Sequence, residues 1–371
     1  MDTRIKVSIS GRFLLENHPT GTHRSALGFV KALLAVPDLD VSIHVHRDSI
    51  PAHVRTQLTG ARLVHSPMQR GKLLRHLWEQ LIFPRIDSDS IHLYLINTGP
   101  FLFPSRKQIV VVHDIYALTS KGLYSRAFVL WNSLACGLAA KRSPQIVCFT
   151  QFVKASIEEH LKIAPKKIRV IPQGPGLDMT APFSPIPDLP EKYLLCVGSL
   201  QPHKNLRTVV EAFAHSKLFE RSYKLLVIGR KQANFTDVNL PEELENAPWL
   251  IFTGYVDDGA LKTYYTKAST FVYISLLEGF GLPLVESFLL GCPVITSNLS
   301  CLPEVAGGAA LLVNPLDAIA VGDAMVQLLT DENLRASLVE KGKARALAYT
   351  WESAGTAFAE TIRTVSQSAY P

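Results

Sequence analysis

The 371-residue chain is 47% hydrophobic and 19% charged, with 22 Gly and 23 Pro. That composition excludes a disordered or collagen-like protein, and the length suits two ordinary domains. Its formal net charge of +6 admits three anionic partners: nucleic acid, a membrane surface or a phosphorylated small molecule. The charge is uneven along the chain. Residues 1–172 hold 23 Lys and Arg against 11 Asp and Glu, whereas residues 173–371 hold 15 against 21.

In chain order, short apolar runs alternate with longer helical patterns. Strands are expected at Ile5–Ser10, Val41–His46, Ile91–Ile96, Gln108–Asp114, Gln145–Thr150 and Lys167–Pro172. After a gap they resume at Tyr193–Gly198, Lys224–Gly229, Trp249–Gly254, Thr270–Ser275, Cys292–Ser297 and Ala309–Val313. Such runs read as parallel strands covered on both faces. Helical periodicity fills Arg24–Leu34, Lys154–Leu161, Leu206–Ala214, Ala260–Lys267 and Leu316–Leu329 between them. The alternation predicts an α/β protein of two Rossmann-like doubly wound parallel-sheet domains facing a cleft. The gap contains Pro175, Pro182, Pro185, Pro187 and Pro190, which excludes regular helix or central strand. The expected division is an N-terminal domain over 1–172, a Pro/Gly-rich linker over 173–190 and a second domain over 191–350. A helix over 351–371 follows and could cross back to the first domain.

The five cysteines are Cys136, Cys148, Cys196, Cys292 and Cys301. They are odd in number and mostly lie in apolar runs, so buried reduced thiols in a cytoplasmic protein are expected, with no structural zinc. The N-terminus reads as a strand and lacks a signal-peptide core. No apolar run approaches the ~18 residues that would suggest a spanning helix. The longest, Ala127–Ala140, is expected as a buried helix.

Ligands of open α/β sheets bind beyond the carboxyl ends of strands, so post-strand residues carry the chemistry. The densest cluster is LLEGFGLPLVESFLLGCPVITS, Leu276–Ser297. Glu278 follows a strand, Gly279-Phe280-Gly281 turns the chain, and Pro283 suits the first turn of a helix that also carries Glu286. Backbone N–H groups at Gly281 and Leu282 would then face a phosphate or diphosphate. The two carboxylates could accept hydrogen bonds from the hydroxyls of a nucleotide-sugar. A second cluster runs from Gly198 and Ser199 through Pro202 and His203 to Lys204. Lys204 precedes a helix and could neutralise diphosphate charge. In a third, His113 and Asp114 end a strand in the basic half. His113 could bind or deprotonate a hydroxyl, with Asp114 as orienter. A fourth is the loop Glu16–Ser25, in which Gly21 could let the chain close over a ligand.

Other chemistries lack their motifs. Leu284 stands where a third glycine would complete G-x-G-x-x-G after Gly279 and Gly281, which argues against an NAD dehydrogenase despite the Rossmann-like pattern. There is no Walker A sequence. Asp87-Ser88-Asp89 resembles a metal-binding D-x-D but precedes a strand, so no metal is expected. The basic half lacks dense cationic runs interleaved with aromatics, which argues against nucleic acid.

Together these motifs resemble the retaining glycosyltransferases of the GT-B fold, the group 1 or family 4 class. The resemblance is strongest over Tyr193–Pro315, in the G-x(5)-K loop Gly198–Lys204, FTGYVDD, the E-x(7)-E frame Glu278–Glu286, G-C-P-V-I-T-S and L-P-E-V-A-G-G-A-A. It implies catalytic roles for Glu278, Lys204 and His113. Glu278 would contact the donor sugar, Glu286 the ribose and Lys204 the leaving diphosphate. The amides of Gly281 and Leu282 would meet the phosphates, the backbone at Tyr255 and Val256 would hold the base, and Gly198, Ser199, Gly279 and Phe280 would complete the donor site. His113, Asp114 and Gly21 would lie on the acceptor side. The resemblance also implies no metal or cofactor. The leaving group would depart on the face the acceptor attacks, so no protein nucleophile is required. Two positions depart from the pattern: Ser199 replaces a common Arg, with Arg230, Lys231 or His203 as substitutes, and Ile274 replaces a common Pro.

The expected activity is hexosyl transfer, mannose- or rhamnose-like or glucose-like, from a nucleotide-sugar (a GDP-sugar favoured) to a glycan or lipid-linked acceptor of surface polysaccharide. Two alternatives stay open. A GT-B relative of other chemistry, such as an epimerase or a phosphorylase, is one; a phosphorylase would need a lysine for pyridoxal phosphate. A non-catalytic sugar-nucleotide binding module is the other, for which loss of Glu278, Glu286 or Lys204 would be expected. The basic segments Lys72–Arg85 and Lys121, Arg126, Lys141 and Arg142 could face an anionic membrane, making the protein peripheral on its inner face.

Overall fold

In the computed structural model, residues 4–15, 20–45, 50, 52–58, 60–65, 72–119, 126–229 and 240–368 are described. The apolar runs of the first part form seven parallel strands: β1 (Ile5–Ser10), β2 (Leu39–Val45), β3 (Arg62–His65), β4 (Ile91–Tyr94), β5 (Gln108–Val111), β6 (Gln145–Cys148) and β7 (Ile168–Val170). Their order is β3-β2-β1-β4-β5-β6-β7. The second part forms β8 (Tyr193–Val197), β9 (Lys224–Ile228), β10 (Leu250–Gly254), β11 (Thr270–Tyr273), β12 (Val294–Ser297) and β13 (Leu311–Val313). Their order is β10-β9-β8-β11-β12-β13. Each sheet therefore reverses its winding once, between β1 and β4 and between β8 and β11, and the carboxyl ends there are the ligand positions of this architecture.

The strands are mostly shorter at their carboxyl ends than the apolar runs predict. β5 stops at Val111 and β11 at Tyr273, so the loops that carry function begin earlier. One strand, β3, is not predicted. It pairs only with β2, its residues are half-buried or exposed, and an edge strand of four residues lacks an apolar signature.

The chain divides into two compact units, Met1–Gly174 with Thr350–Pro371, and Pro175–Tyr349. In the first, Trp78, Phe83, Tyr94, Val110, Ile146 and Ile157 form a core. The helix Trp351–Ser368 belongs to this unit. Phe29 packs edge-on to Trp351 and Phe358 at 5.1 and 5.3 Å, and Arg363 makes a two-pronged pair with Asp38 at 2.8 Å. In the second, helices Leu206–Ser216 and Ala318–Thr330 pack beside the sheet through Val209, Phe213, Val321 and Met325.

The expected linker over 173–190 is largely part of the second unit. Its prolines exclude a ladder, so its carbonyls find a side chain instead. Buried Lys262 donates to Met179 O and Ala181 O, and Thr263 donates to Ser184 O at 2.8 Å. The helix Arg126–Arg142 is likewise not fully buried, because Leu130 and Leu134 face outward. All five cysteines are buried and unbridged.

Candidate active site

The second unit assembles its site where β8 and β11 end side by side. β8 leaves the sheet at Gly198, whose carbonyl is so close to the neighbouring strand end that a Cβ on Gly229 would fall 1.7 Å from it. Only glycine fits there. The chain then makes a 3-10 turn, Pro202–Lys204, and Asn205 in the left-handed region starts helix Leu206–Ser216. The Asn205 amide anchors the turn by donating to Pro315 O at 2.6 Å. Leu276 N donates to His203 O at 2.8 Å, which joins this loop to the one after β11.

These restraints bring Lys204 and Glu278, 74 residues apart, into contact. Lys204 Nζ donates to Glu278 Oε1 at 2.5 Å, and Tyr273 donates its hydroxyl to the same oxygen at 2.6 Å. Lys204 Nζ also lies 3.3 Å from the Tyr273 oxygen. The lysine and glutamate side chains keep 19% and 12% of their surface in solvent, enough to meet a ligand. Burial pushes the Glu278 carboxyl upward, but the Lys204 charge, His203 and the two hydrogen bonds outweigh it and hold it below its usual range. Burial and the Glu278 charge push Tyr273 well up, so it stays a donor. Buried Cys301 donates to the Glu278 carbonyl at 2.9 Å.

The loop after Glu278 ends in Gly281 at φ 93°, the N-cap of helix Leu282–Leu289. A side chain at Gly281 would be strained there and would press within 3.0 Å of Leu302. Pro283, which has no N–H, occupies the first turn, and Leu284 N donates back to Gly281 O at 2.9 Å, so the backbone at Gly281 and Leu282 stands at the positive helix end that favours an anion. Phe280 is buried edge-on to Tyr349 at 5.4 Å, so its ring packs the loop and leaves only its backbone for a donor. Glu286 is buried one turn on. Its carboxylate already accepts the Gly176 N–H at 3.1 Å and the Tyr265 hydroxyl at 3.3 Å. Half-exposed Tyr255 and Val256 follow β10. Ser199 is half-buried. Of its proposed substitutes, His203 is held neutral, at about 4, first by burial and then by Lys204. Arg230 and Lys231 lie outside the described residues.

In the first unit, His113 follows β5 and is buried against Phe149, 4.8 Å between ring centroids. Its Nε2 donates to Leu95 O at 2.8 Å. That bond fixes the tautomer and leaves Nδ1 with a lone pair, able to accept from a hydroxyl. Burial lowers the imidazole to about 4. The ring is thus oriented by a carbonyl, while Asp114, expected as orienter, accepts the Tyr116 N–H at 3.2 Å. Gly21 is not in a loop. Thr20 caps helix Gly21–Leu34 with His23 as reciprocal partner, so Gly21 is its first residue; residues 16–19 lie outside the described set. Asp87 lies 4.0 Å from Lys6 and accepts the Ser90 hydroxyl, closing the turn before β4.

Sequence reasoning missed Tyr273, Cys301 and a buried group at the β1–β4 reversal. There Glu79 accepts from Ser10 at 2.8 Å and from Arg12 at 2.7 Å. Tyr273 lies in an all-apolar strand, where no alternation marks the face that turns to the site.

Residues 180–345 match the family model for glycosyl transferases group 1. Over that stretch the chain is similar to the group 1 glycosyltransferases. It is 28% identical over 365 residues to the O-antigen chain mannosyltransferase B of Escherichia coli, covering 91% of this chain and 94% of that one. It is 26% identical over 310 residues to the O-antigen chain mannosyltransferase RfbU of Salmonella typhimurium, covering 80% and 84%. Among solved structures, sucrose-phosphate synthase from Thermosynechococcus elongatus superposes with a TM-score of 0.74 at 19% identity, over 98% of this chain and 100% of that one. WaaG, a glycosyltransferase of lipopolysaccharide biosynthesis, does so at 0.69 and 18%, over 96% and 99%. The fold of this glycosyltransferase is GT-B.

Proposed function

We propose that this glycosyltransferase moves a mannose-like hexose, with retention and without a metal, from a nucleoside diphosphate sugar to a glycan or lipid-linked acceptor of surface polysaccharide. The observation that carries this reading is the Lys204–Glu278–Tyr273 network beside the N-terminus of helix Leu282–Leu289. A diphosphate offers charge to Lys204 and the helix amides, and the sugar offers hydroxyls to Glu278. As the bond to the anomeric carbon breaks, negative charge grows on the departing diphosphate, where fixed cations and amides stabilise it most. Glu286 would take the ribose hydroxyls, and the backbone at Tyr255 and Val256 the base. In the first unit, His113 Nδ1 would accept from a hydroxyl of the acceptor. The names of the O-antigen relatives support mannose and surface polysaccharide. A GDP-sugar and the cytoplasmic face of the membrane are parts of the same proposal.

The test is nucleotide release from a panel of GDP-, UDP- and dTDP-sugars with mannose-containing acceptors, with and without EDTA. Release from GDP-mannose, undiminished by EDTA and forming an axial linkage by NMR, is expected. Tight donor binding without turnover on any acceptor would overturn it in favour of a binding module. A ligand at 100 times its dissociation constant adds about 2.7 kcal/mol of stability, so a thermal shift ranks the donors first.

A further inference from the structure

Helix Lys72–Leu81 turns Trp78, Glu79 and Gln80 inward and leaves its leucine stripe outside. Glu79 and Gln80 are 1% and 7% exposed, whereas Leu74, Leu77 and Leu81 are 45%, 42% and 38% exposed. The three leucines fall at i, i+3 and i+7, one stripe of the helix. The buried polar groups explain the orientation. Glu79 is held by Ser10 and Arg12. The Gln80 amide pins the following loop, donating to Gly99 O at 2.9 Å and accepting Phe101 N at 2.8 Å. That pinning holds Leu102 and Phe103 outward, each about half exposed, and Ile82 extends the same apolar face. Two guanidiniums flank the loop. Arg85 sits 4.4 Å over the Phe103 ring, and Arg142 donates to Phe101 O.

An outward apolar stripe, a fixed aromatic tip and flanking guanidiniums are the parts of a side that lies on a lipid interface, with side chains in the acyl boundary and cations among the headgroups. We propose that this face, Leu74, Leu77, Leu81, Ile82, Leu102 and Phe103 with Arg85 and Arg142, docks on an anionic phospholipid bilayer. The positive excess of residues 1–172 favours that occupant over a neutral apolar partner or a second copy of the same positive face. The inference rests on the proposed function only for its purpose, bringing the enzyme to a membrane-borne acceptor, and lipid binding is read apart from transfer.

The experiment is flotation of the full chain with phosphatidylcholine vesicles, with and without phosphatidylglycerol, at low and high salt. Wild type should float only with the anionic vesicles, and less at high salt. Leu102→Gln with Phe103→Gln should lower partitioning about tenfold or more. Arg85→Gln with Arg142→Gln should lower it about 30-fold at low salt, at roughly 1 kcal/mol per Arg. Melting curves and transfer to a water-soluble acceptor should be unchanged in Leu77→Gln, a single exposed change that keeps the proposal testable if a double variant fails to fold. Flotation unaffected by these variants would overturn the proposal, as would equal flotation with neutral vesicles. A dimer in sedimentation that the same substitutions dissociate would assign the face to a second copy and overturn it too. Loss of transfer with lipid binding intact would count against the proposed function alone.

Discussion

The Tyr273 hydroxyl and the Lys204 ammonium share one oxygen of Glu278. When a diphosphate competes for Lys204, Tyr273 remains to hold the carboxylate. A hydrogen bond to a charged group contributes about 1.5–3 kcal/mol, so Tyr273→Phe should cut kcat by about ten- to a hundredfold while KM for the donor moves less. A raised KM with kcat unchanged would show that Tyr273 serves binding alone. Glu286 behaves differently because its carboxylate also satisfies Gly176 N and Tyr265. Glu286→Ala should therefore lose both donor binding and about 1–3 kcal/mol of stability. Calorimetry beside the kinetics separates the two losses. Glu278 and Lys204 were legible because a strand, a glycine turn and a helix start leave few places for such residues. Tyr273 was not, because a strand buried on both faces shows no period that says which way its tyrosine points.

Elements were legible where one rule decided them, and less so where two competed. The all-apolar strands and the proline-rich break could be read directly. The helix Lys72–Leu81 could not, since three leucines on a stripe normally mark the inward face. Here buried bonds to Glu79 and Gln80 turned the helix round. The segment after Gly174 shows a related conflict: prolines exclude regular structure but do not prevent packing. Lys262, 3% exposed, donates to Met179 O and Ala181 O and lies 4.6 Å from the Phe183 ring. Lys262→Met should strand two carbonyls and cost about 1–3 kcal/mol. The melting temperature of the second unit should fall by roughly 2–4 °C per kcal/mol. Unchanged melting would mean that the segment holds itself.

At the scale of the whole molecule, acid is the solvent change to which the fold is most exposed. Burial lowers His44, His113 and His203 to about 4, against an ordinary value of about 6.5. Between those values the unfolded chain binds protons that the folded chain does not. Stability therefore falls as pH drops through that window and is level above it. Glu278, held low, adds a further loss at more acid pH. Urea titrations should show His113→Gln flattening the slope between about pH 4 and 6.5 by roughly one proton. An unchanged slope would contradict the buried neutral imidazole. The returning helix makes a second prediction at this scale. Phe358 is fully buried, so Phe358→Ala should cost about 3–5 kcal/mol. Two-stage unfolding should place that loss in the first unit.

The same returning helix reverses the order of assembly on the ribosome. The seven-stranded sheet is translated first, but the Trp351 ring that covers Gly28 and Gly174 emerges only after all of the second unit has been made. A nascent chain paused after Tyr349 would hold a finished second unit and an unfinished first, with Phe29 lacking the rings of Trp351 and Phe358. Synthesis thus completes the second unit before the first, and a chaperone guarding the emerging chain would find its client surface around Phe29.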